Sequence, residues 1–183
     1  MRVAGQSERV GVGRSSSAAP VATVDLTLRS SRASHRLVDE SRITVIAIES
    51  AADMERAWAI RRQVFIEEQN VPEEIEMDAD DSHAFHAIAI LDGVAIGCGR
   101  MLEHGVGEVK IGRMAVLREF RNKRVGAQIL RFLIDRARTR GCRKAVLHAQ
   151  LTAEGFYLRE GFKPVGGVFD EAGIAHRLME RDL

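Results

Sequence analysis

An α/β domain built on a mixed, largely antiparallel sheet covered by helices is what the sequence predicts from Ile43 to Leu183. Three observations carry that prediction. Strand-like and helix-like runs follow one another in the order β-α-β-β-β-α-β-α-β-β. An Asp92-Gly93 pair separates two apolar runs, and Val125–Arg140 repeats its apolar residues at helical spacing.

Each element follows from its residues. Ile43–Ile48 (ITVIAI) is β-branched and reads as a strand. Asp53–Glu67 reads as one helix, with Met54, Ala57, Trp58, Val64 and Phe65 on a stripe. Val71–Asp81 is an acidic loop, with one helical turn expected after Pro72. Ala84–Leu91 and Val94–Leu102 form a hairpin, because Asp-Gly supplies the positive φ of a tight turn. Glu108–Val116 is a further strand. In Val125–Arg140 the residues Val125, Ile129, Leu130, Leu133, Ile134 and Ala137 share a face, and Gly141 is the natural stop. Ala145–Ala149 is a strand and Thr152–Glu160 a helix; Phe162–Val165 and Ile174–Glu180 close the sheet.

Composition narrows the function classes. The 183 residues suit one domain, and 45% apolar content is enough to bury a core. A net charge of +1 argues against a large basic surface for nucleic acid. No apolar run approaches the ~20 residues that span a bilayer. Cys98 and Cys142 make neither a metal spacing nor a disulfide framework, which suits a reduced, cytoplasmic setting. The histidines at 83, 86, 104, 148 and 176 show no ligand spacing, so no metal is expected. The acidic run from Glu73 to Asp81 lacks the glycine and twelfth-position glutamate of a calcium loop. No phosphate-binding G-x-x-x-x-G-K-[ST] exists, which disfavours a kinase.

Residues 1–41 hold eight Ser and six Arg but no Phe, Tyr or Trp. Such a segment cannot offset its ordering entropy by burial, so residues 1–42 are expected to be a disordered tail before a domain at 43–183. A short strand is expected over Val21–Leu28. Glu8, Asp25, Asp39 and Glu40 do not suit a transit peptide, and no continuous apolar stretch marks a secretory signal.

The most informative stretch joins the strand Glu108–Val116 to the strong helix through Arg118–Arg124. A helix N-terminus leaves N–H groups unpaired and carries an effective charge of about +0.5. Gly126 lets an anion approach the backbone, and Arg121, Lys123 and Arg124 add charge. A pyrophosphate is the expected guest; a solvated basic turn before an ordinary helix is the plainer alternative.

Arg121-x-x-Arg124-x-Gly126-Ala127, after the strand Arg113-Met114-Ala115-Val116, resembles the coenzyme A signature Gln/Arg-x-x-Gly-x-Gly/Ala of the GNAT acyltransferases. One departure stands out: Arg124 takes the place of the first glycine. If that position needs φ > 0, arginine costs energy that glycine does not; if φ is negative, the guanidinium is free to grip a phosphate. Phe156-Tyr157-x-x-x-Gly161-Phe162 is similar to a second element of the family. Phe169-Asp170-Glu171-Ala172-Gly173-Ile174-Ala175-His176-x-x-Met179 and Arg61-x-x-Val64-Phe65-x-x-Glu68-Gln69 resemble its ElaA-like branch. The matches span about 140 residues, in order.

The resemblance implies a GNAT-type sheet, acetyl-CoA as co-substrate, and a small-molecule or peptide amine as acceptor. It implies no role for nucleic acid or membrane, and dimers are common among relatives. Backbone N–H groups of Met114, Ala115 and Val116 would hold the thioester carbonyl and pantetheine. The turn formed by Arg121, Asn122, Lys123, Arg124, Val125, Gly126 and Ala127 would hold the pyrophosphate. Tyr157, the only tyrosine, stands where the family's general acid lies, or else packs beneath the coenzyme. Glu68, Glu108 and His148 are the candidate bases. Arg61 falls on the apolar stripe of the first helix, where a charge must snorkel or pair. It would either hold a substrate carboxylate or anchor the acidic loop, and Glu68 is the other substrate-side candidate. Two rival readings remain. One is a carrier-protein-dependent acyltransferase like the acyl-homoserine-lactone synthases, although the only tryptophan, Trp58, precedes Phe65 rather than following it. The other is a non-catalytic acyl-CoA sensor.

Overall fold

The computed structural model describes residues 39–183; the tail expected before them and the strand over Val21–Leu28 lie outside the described residues. A short 3-10 turn, Glu40–Arg42, leads into β1 (Ile43–Ala47). Next come helix α1 (Ala51–Arg61), the single turn α2 (Glu73–Glu76) and the hairpin β2 (Phe85–Leu91) and β3 (Val94–Glu103). Strand β4 (Glu108–Val116), helix α3 (Val125–Thr139), strand β5 (Lys144–Gln150) and helix α4 (Glu154–Arg159) follow; β6 (Lys163–Glu171) and β7 (Ile174–Asp182) end the chain. The seven strands form one sheet in the order β1-β2-β3-β4-β5-β7-β6. Every pair is antiparallel except β4 with β5. This is the mixed, mainly antiparallel sheet the sequence predicts.

Local chemistry explains the boundaries. Ser50 caps α1 by accepting from the Asp53 N–H at 3.1 Å, so the helix begins before Asp53. At its far end α1 does not continue regularly to Glu67. It widens into a π turn over Arg62–Glu67, closed by the Glu68 N–H on the Gln63 carbonyl at 3.1 Å. The buried stripe differs from the expected one. Ala57, Ile60 and Val64 are buried, while Met54, Trp58 and Phe65 are only partly covered. The Asp92-Gly93 turn takes positive φ at both residues, as the hairpin requires. Gly141 follows α3 at φ +79°, and the Cys142 N–H returns to the Ala137 carbonyl to end it.

Strand β6 runs six residues past the expected Val165. Gly166 and Gly167 read as an end, but the fold absorbs them as an irregularity between Val165 and Val168 on an edge strand.

Helices cover both faces. On one side, Val125, Ile129, Leu130, Leu133, Ile134 and Ala137 of α3 bury against Ile96, Val109, Ile111, Ala145 and Leu147. Each fully buried aliphatic side chain contributes about 1.5–3 kcal/mol relative to exposure, so α3 is the chief anchor of the sheet. On the other side, Ala57, Ile60 and Val64 meet Ile88, Cys98 and Ala115. Glycines let α3 approach closely. A Cβ on Gly97 would lie 2.9 Å from the Ala115 carbonyl oxygen and 3.0 Å from Ile129.

Candidate active site

The site begins as a fault in the sheet. Cys98 pairs with Ala115 and Arg100 with Gly112, so Arg113 and Met114 together oppose Gly99. Arg113 takes φ +52° at this bulge. The extra residue reverses the alternation of side chains. Val109 and Ile111 face α3, yet Ala115 packs on the α1 side. Strand β4 also parts from β5: their parallel pairing covers only Glu108–Lys110 with Lys144–Val146. Beyond Lys110 the β4 edge has no strand partner on that side, and a gap opens through the sheet.

The turn after β4 closes one end of that gap. Arg118–Phe120 forms a 3-10 turn, Asn122 takes φ +61° and Arg124 φ +55°, and α3 starts at Val125. Arg124 therefore occupies the left-handed conformation that glycine favours, which costs an ordinary side chain roughly 1–2 kcal/mol. No side chain caps α3. Its first well-formed backbone bond is the Gln128 N–H to the Arg124 carbonyl at 3.0 Å, so the N–H groups of Val125, Gly126 and Ala127 have no backbone acceptor. A Cβ on Gly126 would meet Phe156 at 3.6 Å and Val116 at 3.8 Å, ordinary contacts. The turn thus presents free donors and positive charge together.

Its arginines divide the work. The Arg124 side chain is 78% exposed, with Nε 3.6 Å from a Glu40 carboxylate oxygen. The Arg121 guanidinium turns back into the protein. Its Nε donates to the Val116 carbonyl at 3.0 Å, and Nη1 and Nη2 clamp Glu68 at 2.6 and 2.8 Å. That clamp holds the Glu68 carboxyl below its ordinary value. Lys123 donates to the Glu119 carbonyl at 2.6 Å.

A cleft of about 1220 Å³ runs through the gap. Of the residues singled out in the sequence, Met114, Val116, Arg121, Asn122, Arg124, Val125, Gly126, Ala127 and Tyr157 line it. Ala115 and Lys123 do not; the Ala115 side chain lies in the α1-side core. Tyr157 is buried, with Phe156 and Phe162 edge-on at 4.8 and 5.9 Å. Burial pushes its phenol well above the ordinary value, so it stays protonated and able to donate.

Arg61 and Glu68, the expected substrate-side residues, do not line the cleft. Arg61 is 1% exposed: Nε donates to Glu76 at 2.6 Å, Nη1 to Asp81 at 2.7 Å, and Nη2 to the Glu76 backbone carbonyl. With its donors taken, it is the anchor of the acidic loop. Around it Arg100 binds Asp78 and Asp81, and Arg113 binds Asp78 and Glu76. Burial pushes the Glu76 carboxyl up even with the Arg113 and Arg61 guanidiniums against it. Much of the acidic run is therefore an internal clamp, not a solvated loop.

The candidate bases separate cleanly. Both oxygens of Glu68 are held by Arg121. Glu108 begins β4 beside Lys144, at 3.7 Å, outside the lining of the cleft. His148 lines the cleft, and its Nδ1 lies 2.8 Å from Glu171 Oε2. Glu171 was not singled out as a site residue in the sequence. Alternation along β5 could have placed His148 opposite Ala145, Leu147 and Ala149, but nothing in the chain order brings Glu171 to it.

A family model described as the acetyltransferase (GNAT) domain matches residues 45–183. The chain belongs to the GNAT acetyltransferase family. Relatives agree with that placement. The uncharacterised N-acetyltransferase YjcF of Bacillus subtilis is 36% identical over 129 residues, covering 69% of this chain and 90% of that protein. Escherichia coli ElaA is 31% identical over 129 residues, covering 68% and 84%. The crystal structure of that ElaA superposes with a TM-score of 0.68, covering 76% of this chain and 99% of that one. A GNAT acetyltransferase from Elizabethkingia anophelis, solved with acetyl-CoA bound, shares the fold at a TM-score of 0.63 and 18% identity, covering 78% and 99%. Among the described residues of this GNAT chain, no helix is long and apolar enough to cross a membrane.

Proposed function

We propose that the chain moves an acetyl group from acetyl-CoA to a primary amine of a small molecule or peptide. One observation carries this reading: a sheet parted between β4 and β5 directly beside a helix start whose N–H groups are free. Those two features fit an acyl thioester whose pyrophosphate is bound by backbone. The N–H groups of Arg124–Ala127 take the pyrophosphate, where a glycine at 126 leaves room for close approach. The unpartnered β4 edge at Met114–Val116 supplies donors to the thioester carbonyl and pantetheine. Tyr157, buried on the α3 side and protonated, gives a proton to the departing sulfur. The bound acetyl-CoA of the Elizabethkingia structure accords with this use of the fold.

Calorimetric titration of the full chain with acetyl-CoA and with CoA tests the proposal, alongside Gly126→Asp. A Cβ fits at Gly126 without a clash, so the variant folds and places a carboxylate where the pyrophosphate belongs. Stoichiometric binding that Gly126→Asp loses is the expected result. Absence of binding by acetyl-CoA and longer acyl-CoAs would overturn it, in favour of a carrier-protein donor or a non-catalytic module.

A further inference from the structure

His148 lies on β5 with Gln150, on the face opposite Ala145, Leu147 and Ala149, which pack in the α3-side core. Tyr157 and Met114 belong to that α3 side. The same cleft reaches Tyr157 and His148, so a proton donor and a proton acceptor sit on opposite faces of one gap. Coenzyme entering beside α3 leaves the other face to the acceptor.

The hydrogen bond to Glu171 orients the His148 ring. An ionised carboxylate can only accept, so with Glu171 Oε2 at 2.8 Å the hydrogen sits on Nδ1, and in the neutral ring the lone pair falls to Nε2. Partial burial pushes the Glu171 carboxyl up, but the hydrogen bond from His148 and the positive charge of His148, His176 and Lys110 together outweigh it and keep Glu171 below its ordinary value. Phe169 meets the imidazole edge-on at 4.9 Å and fixes its plane. The ring retains 30% exposure, enough to exchange a proton with water. The titratable groups around the pair are Lys110 from β4 and His176 from β7.

We infer that His148 is the base that takes the proton of the acceptor amine, with Glu171 as its positioning residue; this rests on the acyltransferase reading above. An alkylammonium sheds two protons on its way to an amide. His148 Nε2 first takes one proton and passes it to water, which frees the lone pair with which the nitrogen bonds the acyl carbon as the carbon–sulfur bond breaks. The other replaces, on Tyr157, the proton that the phenol has given to the departing sulfur. Amide, free thiol and one released proton account for every atom. Of the three bases expected from the sequence, Glu68 is clamped by Arg121 and Glu108 lies outside the cleft.

The test compares the full-length chain with His148→Gln and Glu171→Gln. Acetyl-CoA affinity is measured by calorimetry, thiol release is followed with a polyamine, an aromatic alkylamine and a peptide N-terminus, and long-range ¹H–¹⁵N spectra report the histidine tautomer. His148→Gln should keep the acetyl-CoA Kd, lower kcat by about 10²-fold or more, and flatten the acid limb of the kcat/KM profile. Glu171→Gln should cause a smaller loss and abolish the pure Nδ1–H tautomer. Wild-type kcat and pH profile in His148→Gln would overturn the inference, as would an Nε2–H tautomer in the acetyl-CoA-saturated chain. Failure of the unaltered chain to bind acetyl-CoA would instead sink the acyltransferase reading.

Discussion

Arg124 and Tyr157 carry their consequences in single side chains. At φ +55°, Arg124 pays a conformational cost that glycine would not. Replacing it by glycine removes about 1–2 kcal/mol of strain and restores about 0.4–1 kcal/mol of unfolded-chain entropy. The net gain is about 0–1.6 kcal/mol for Arg124→Gly, which calorimetry should read as a rise in Tm of up to about 5 °C. A fall in Tm would mean that the exposed guanidinium contributes more than its long contact with Glu40 suggests. Tyr157 separates chemistry from folding, because its hydroxyl makes no hydrogen bond to another described residue. Tyr157→Phe should leave Tm and acetyl-CoA affinity near wild type while lowering kcat by about 10²-fold. Unchanged turnover would remove Tyr157 from the acid role.

At the scale of elements, the close seat of α3 on β3 protects the bulged strand. A Cβ at Gly97 would press on the Ala115 carbonyl oxygen at 2.9 Å, a backbone atom that cannot swing aside. Gly97→Ala should cost about 1–3 kcal/mol and weaken acetyl-CoA binding by displacing β4. Gly167→Ala, with nothing within 4 Å of its Cβ and outside the lining of the cleft, is the control that should bind normally. Equal thermal shifts in the two would show that this approach is not tight. Elements with a local pattern were legible in the sequence. The apolar face of α3, the Asp92-Gly93 hairpin and the span of β4 each depend on neighbours a few residues apart. So does the strand–turn–helix around Arg121–Ala127. What depends on distant partners was not legible. The π turn after Arg61, the bulge at Arg113 and Met114, and the insertion of β7 between β5 and β6 answer to tertiary packing. Glu171 reaches His148 only because β6 continues past its glycines, and Glu68 is drawn from the substrate side by Arg121, 53 residues away.

Over the whole domain, the Arg61, Arg100 and Arg113 cluster ties α1, the acidic loop, β3 and the bulge of β4 into one charged core. Removing one member of such a set leaves the others buried and unpaired, which costs about 3–5 kcal/mol. Arg61→Leu should therefore lower Tm by about 10 °C or more at neutral pH. The pH dependence follows from Asp78 and Asp81. Burial pushes both carboxyls up, but the Arg100 hydrogen bonds and neighbouring guanidiniums prevail and leave each below its ordinary 3.8. An unfolded chain then binds more protons than the folded one on the acid side. Their contribution is complete above pH 3.8 and lost as pH falls through the depressed folded values. In Arg61→Leu the carboxylates left without that partner cease to be buried charges once they are protonated. The difference in Tm between Arg61→Leu and wild type should accordingly narrow as the pH is lowered in a series of thermal scans, first as the unpartnered Glu76, pushed above its ordinary 4.5, takes a proton and then as Asp81 does. A constant difference across that range would mean that Arg61 acts by filling space, and that its charge does not hold the loop.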